Sequence, residues 1–169
     1  MSTGVVVRRV SPEDADQINI LASYHAKAFG DSFGRGVAAR AKEMRIHSNK
    51  EPGASVVPMT LIALLNGELA GSCRICEDDF DGARPNLTPW LATLFVLPEY
   101  RGKGVGSALA NTAAAEVKLS GGSDVLYLWA CEREVAIGMY QKLGWSIIEE
   151  TVPSHRENFD LAIIMKRLL

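Results

Sequence analysis

The sequence predicts an α/β fold: a single domain, residues 1–169, whose mixed, mostly antiparallel sheet is flanked by helices on both faces. Three observations carry that expectation. Asn66-Gly67 sits between two apolar runs, the strongest short-range signature of a β-hairpin. A glycine-rich basic turn, Arg101 to Gly106, separates an apolar run ending at Leu97 from a stripe of Val105, Leu109, Ala113 and Val117, so a strand passes through a turn into a helix. Val125 to Ala130 is apolar without alternation, as in a central strand covered on both faces.

Taken in order, Val5 to Val10 reads as a first strand. Ser11-Pro12-Glu13-Asp14 opens a helix, with Ser as N-cap, Pro at the first helical position and acids in the first turn. That helix runs through Ile18, Leu21, Ala22 and His25 to Phe29 and stops at Gly30. A second helix, about Val37 to His47, carries Arg35, Arg40, Lys42 and Arg45 on or near its exposed side, a basic face expected to be solvated. Residues 48–58 read as a loop. Thr60–Leu65 and Glu68–Cys76 form the hairpin, and Glu77 to Pro89 is an acidic connection with Asp78, Asp79 and Asp81. After the glycine-rich turn and its helix, Gly121-Gly122 is a stop signal. A short helix with Ala136, Met139, Tyr140 and Leu143 on one face ends at Gly144, and strands at Trp145–Ile148 and Leu161–Lys166 close the chain. This order implies antiparallel strands early and parallel pairing around the turn.

Composition narrows the function classes. Apolar residues are 47%, charged residues 22% and the net charge is -2, which excludes a disordered chain and gives no basis for broad nucleic-acid binding. No run reaches the ~18 apolar residues of a membrane span, and no basic stretch followed by an apolar one opens the chain, so a membrane or secretory role is not expected. Three cysteines do not make a disulfide framework, and the expectation is a reduced, cytoplasmic protein. In Cys73-x-x-Cys76 the two side chains point to opposite faces of a strand, so they do not chelate a metal together.

The turn at 101–106 is where the chemistry concentrates. The first turn of a helix offers N–H groups without intrahelical acceptors and the positive end of the macrodipole. Gly102, Gly104 and Gly106 let an anion approach that backbone closely, and Arg101 and Lys103 add positive charge. The pattern reads as a diphosphate cradle. It lacks the Gly-Lys-Ser/Thr of an ATP-type phosphate loop, and its G-x-G-x-G, late in the chain, departs from the dinucleotide pattern G-x-G-x-x-G.

Val96-x-Pro98-x-x-Arg101-Gly102-Lys103-Gly104-Val105-Gly106-x-x-Leu109 resembles motif A of the GCN5-related N-acetyltransferases (GNAT), whose core is [Q/R]-x-x-G-x-[G/A]. Met139-Tyr140-Gln141-Lys142-Leu143-Gly144-Trp145 is similar to that family's second signature. The resemblance implies acetyl-coenzyme A as cosubstrate. It places the diphosphate on Arg101, Gly102, Lys103, Gly104, Val105 and Gly106, and lays the pantetheine arm along Leu94, Phe95 and Val96 like an added strand. It puts Tyr140 near the departing sulfur, where a phenol of ordinary pKa about 10 is protonated at neutral pH and donates to a thiolate. The alternative role of Tyr140, a core aromatic, is compatible with that one. A backbone N–H near Val96 would meet the oxyanion.

The base is less marked. Many relatives have a carboxylate on the strand before the turn, and Leu91–Val96 has none. Glu132, just past the strand Val125–Ala130, is the candidate; a water relay or an already neutral amine would also serve. Arg133 stands where the family often has an Asn that contacts the cofactor, and would approach a phosphate instead. The function expected is acetyl transfer to the primary amine of a small molecule or peptide, with a non-catalytic acyl-CoA-binding module as the alternative and a homodimer possible. Phe80, Trp90 and the acids at 78, 79 and 81 point to a cationic acceptor.

Overall fold

A computed structural model describes residues 4–30, 36–49, 57–131, 136–152 and 161–169. Among the described residues seven strands form one sheet, β1 (Val5–Arg9), β2 (Met59–Leu65), β3 (Glu68–Cys76), β4 (Trp90–Val96), β5 (Val125–Cys131), β6 (Ser146–Thr151) and β7 (Ala162–Leu168), in the order β1-β2-β3-β4-β5-β7-β6. Every neighbouring pair is antiparallel except β4 and β5. The helices are α1 (Ala15–Phe29), α2 (Val37–Ser48), α3 (Val105–Leu119) and α4 (Ala136–Lys142).

Local signals set most boundaries. Asp14 accepts the backbone N–H of Ser11 at 2.7 Å and takes a two-pronged ion pair from Arg8, both prongs at 2.7 Å, which fixes the entry to α1. That ion pair holds the Asp14 carboxyl at about 2, well below its usual range. Asn66 and Gly67, at φ 54° and 89°, make the two-residue hairpin turn, so Leu65 faces Glu68 across it.

The sheet is covered on both faces. On one side α3 packs Val105, Leu109, Ala113 and Val117 against Leu61, Ala63, Cys73, Ile75, Leu126 and Leu128. On the other, α1 and α2 bury Ile18, Leu21, Ala22, Ala41 and Met44 against Ile62 and Phe95. Beyond the reach of α1 and α2, residues 77–89 cover the later strands, with Phe80 stacked on Trp90 at 6.1 Å. Cys73 belongs to the α3 side and Cys76 to the opposite cluster, as period-two alternation requires. Both thiols are free, and burial pushes that of Cys76 up to about 12.

Candidate active site

The site is built on the one parallel junction. β4 and β5 pair at a single register position, Trp90 opposite Tyr127, with the Tyr127 N–H donating to the Pro89 carbonyl at 3.0 Å. Beyond that point the strands diverge. On the other edge of β4, Ser72 faces Phe95 while Arg74 faces Ala92, so β4 carries one residue more than β3 opposite it. The bulge includes Thr93 at φ 47°, a left-handed conformation uncommon for a β-branched residue. The end of β4 leaves β5 there, and among the described residues the backbone of Leu94 to Val96 has no partner strand on that side.

β4 then runs through Leu97 and a short 3-10 turn, Pro98–Tyr100, into the glycine-rich turn. Gly102 and Gly104 have φ of 73° and 82°, and a Cβ on either would project into open space. Gly106 serves packing instead. A Cβ there would stand 3.2 Å from Met139 Sδ and 3.7 Å from Val96, so its hydrogen lets α3 settle against β4 and α4. The first backbone bond of α3 is from the Ala108 N–H to the Gly104 carbonyl, and no side chain caps the helix. The N–H groups of Val105, Gly106 and Ser107 are therefore left to an external acceptor. Arg101 is exposed; its Nε donates to the Val96 carbonyl at 3.1 Å and its guanidinium lies over the Phe95 ring at 5.8 Å. The Lys103 ammonium lies over Tyr100 at 5.5 Å. Open space above two glycines, unpartnered N–H groups and two cations fit a diphosphate.

Between the diverging strands lies a cavity of about 310 Å³. Its walls come from the C-terminal end of α1 (Ala28, Phe29), Arg40 of α2, Arg74 of β3, the acidic connection, the bulge of β4, the end of β5 and Tyr140. Tyr140, buried on α4 with its ring 5.8 Å from Trp145, thus shares a cavity with Leu94. Phe95 is on the α1 side of the sheet and Val96 on the α3 side, both flanking the exposed backbone edge. Glu132 and Arg133 lie outside the described residues.

Three expectations need correction. Arg40 is buried, 6% exposed, because it shares the inward face of α2 with Met44 and His47, and its Nη2 donates to the Gly30 carbonyl at 3.1 Å. Its spacing to Met44 was the available signal. Trp90 and Phe80 are core residues and do not line the cavity, since the connection folds back onto its own strand. Of the expected acceptor contacts, only the acids at 78, 79 and 81 reach it.

Sequence reasoning missed the network behind those acids. Arg74 Nη1 donates to Glu43 at 2.6 Å and its Nη2 stands 3.6 Å from Asp79 Oδ1. Asp79 also takes the Trp129 indole N–H, at 2.9 Å on Oδ2. Helix α2, the acidic connection and β5 are thereby tied through one half-buried arginine; the signal was a charge inside the apolar run Cys73-Arg74-Ile75-Cys76. A void of about 20 Å³ behind Thr93, lined by His25, Arg40, Glu43, Thr60 and Arg74 among others, is room for one water. His25 bonds Ser72 Oγ at 2.9 Å; its burial, with Arg40 and Arg74 nearby, lowers its pKa to about 4. No group of three or more metal-ligating side chains occurs among the described residues.

The fold as a whole is that of the acetyltransferases. The acetyltransferase of GNAT family from Streptococcus pneumoniae superposes with a TM-score of 0.76 at 28% identity, over 98% of this chain and 99% of that one. The model of the acetyltransferase (GNAT) family matches residues 23–145, and the chain belongs to that family. Structure yncA of Salmonella typhimurium, with its cofactor acetyl-CoA, shares the fold at a TM-score of 0.73 and 17% identity, over 98% of this chain and 94% of that one. N-alpha-acetyltransferase 30 of Schizosaccharomyces pombe is 27% identical over 86 residues. That match spans 51% of this chain and 56% of the relative, about half of each.

Proposed function

We propose that the protein is an N-acetyltransferase that uses acetyl-CoA to acetylate the primary amine of a small molecule or protein by direct attack on the thioester. The observation that carries this reading is the single-position pairing of β4 with β5. It opens the sheet between an uncapped helix start on one side and Tyr140 on the other. Acetyl-CoA supplies the activated acyl group. The α3 N-terminal amides and the turn 101–106 hold the diphosphate, and the free edge of Leu94–Val96 pairs with the amides of the pantetheine arm. Tyr140 Oη holds a proton inside the cavity and delivers it to the leaving sulfur.

The strand β4 offers no carboxylate base, which favours a second reading, a non-catalytic acyl-CoA-binding module. Release of free thiol from acetyl-CoA in the presence of amines separates the two. Turnover with an amine supports the transferase; a melting-temperature rise with CoA and no release with any amine supports the module. A cytoplasmic location is supported by the odd number of cysteines, three, which makes no disulfide framework.

A further inference from the structure

We propose that the acceptor carries a carboxylate beside its amine, as a free amino acid does, and that Arg40 and Arg74 receive it; this rests on the transferase reading above. Two guanidinium groups are costly to bury, yet both line the acceptor cavity and the void beneath it. Arg40 is 6% exposed and the Arg74 side chain 13%. Both act on the same buried spot, since each disfavours protonation of His25. Arg74 is also under-used: Glu43 takes Nη1, Nη2 stands beyond hydrogen-bond distance of Asp79, and Nε is buried with no hydrogen-bond partner. The Nε–Nη2 edge of a guanidinium is a planar fork that matches a carboxylate.

The acids of the cavity are arranged differently. Asp78 and Asp81 are exposed at its rim, and Asp78 accepts the N–H groups of Phe80 at 3.0 Å and Gly82 at 2.7 Å, bonds that fold the connection. Their charges face solvent and are screened. The guanidiniums of Arg40 and Arg74 thus stand within, Arg74 beside Glu43 and Asp79, while the mouth is negative. A bipolar ligand satisfies both, with its carboxylate toward the arginines and its ammonium drawn in past the aspartates. A plain cationic amine would leave the Nε–Nη2 edge of Arg74 without a carboxylate.

The test is a thiol-release assay with acetyl-CoA on the purified protein, using matched acceptors: leucine, leucinamide and 3-methylbutylamine, and likewise arginine, argininamide and agmatine. The amide has the less basic and more available amine, so chemistry alone favours it. We expect the amino acids to exceed their amides in kcat/KM by roughly ten- to hundredfold, the value of charge-assisted bonds to a carboxylate. Arg40→Met should bring that ratio toward one, and Arg40→Lys should restore part of it. Retention of the CoA-dependent melting shift in each variant certifies the fold. Equal or better turnover of the amides or decarboxylated amines overturns the proposal while leaving the transferase reading intact. Release from none of the six overturns the proposal, the transferase reading then resting on the wider range of amines, and the wild-type ratio decides even if the Arg40 variants fail to fold.

Discussion

The donor turn and the acceptor cavity meet at β4 yet are built on opposite plans. The turn is contiguous: Val96 to Leu109 supplies a strand end, three glycines, two cations and a helix start within one stretch of chain. The cavity is assembled from α1, α2, β3, the acidic connection, β4, β5 and α4, and of its charged side chains only the acids at 78, 79 and 81 come from one stretch of chain. A ligand common to a family can be held by backbone, which any sequence with the right glycines provides. A ligand particular to one protein must be held by side chains, and these come from wherever the fold brings them. Perturbing the two regions should therefore give different signatures.

The largest effect is expected at the turn. Gly104→Asp puts a negative charge on a backbone position whose Cβ direction is open space, where the proposed diphosphate would lie. Affinity for CoA should fall by at least about a hundredfold, ~2.7 kcal/mol, read by titration calorimetry, with the fold retained. Gly104→Ala separates charge from backbone: its left-handed φ costs about 1–2 kcal/mol, and it should reduce melting temperature more than CoA affinity. Similar affinities for both variants would mean that the anion sits elsewhere.

Tyr140→Phe comes next and crosses the boundary between the regions. Removing a general acid typically costs about 10²- to 10⁴-fold, so kcat should fall while the CoA dissociation constant holds. A phenylalanine that supports full turnover would return Tyr140 to the core, where its packing on Trp145 already gives it a place.

A change at β4 itself should make the two regions fail together. A Cβ at Gly71 would lie 2.5 Å from the Phe95 carbonyl oxygen and 3.2 Å from Val96 Cα, backbone that cannot rotate away. Gly71→Ala should cost about 1–3 kcal/mol of stability, as overpacking does, and weaken CoA binding by moving the strand edge. Lost stability with unaltered CoA affinity would show that β4 is held more by its bulge than by β3.

The contrast also explains what could be read from the chain. Asn66-Gly67, Gly121 and Gly144 are punctuation with local causes, and the elements they bound appear as expected. The glycine turn was legible for the same reason. The splay of β4 from β5 was not, because it depends on a bulge at Thr93, a residue with no preference for that conformation; the surrounding sheet imposes it. Arg40 and Arg74 were misread or passed over because a charge is assigned to solvent unless a partner is known, and their partners are not sequence neighbours: Arg40 donates to the Gly30 carbonyl across 10 residues and Glu43 pairs with Arg74 across 31.

The smallest expected effect concerns the floor of the acceptor cavity and is a pH dependence. His25 has a folded pKa of about 4, lowered first by burial and then by the charges of Arg40 and Arg74, against about 6.5 in an unfolded chain. Between those values the unfolded state binds a proton that the native state refuses, so unfolding free energy falls as pH drops from 6.5 toward 4. The slope reaches at most about 1.4 kcal/mol per pH unit, and it fades as pH rises through 6.5, vanishing about one to two units higher. Asp14, with its carboxyl near 2, adds its own loss only below about pH 4. Denaturant melts between pH 4.5 and 6.5 on wild type and His25→Asn isolate the term, since only the wild type should carry it. The same measurement on Arg40→Met tests the floor: with one guanidinium gone, protonation of His25 becomes easier and the slope should shrink. An unchanged slope would mean that burial alone keeps His25 neutral and that Arg40 directs its charge elsewhere.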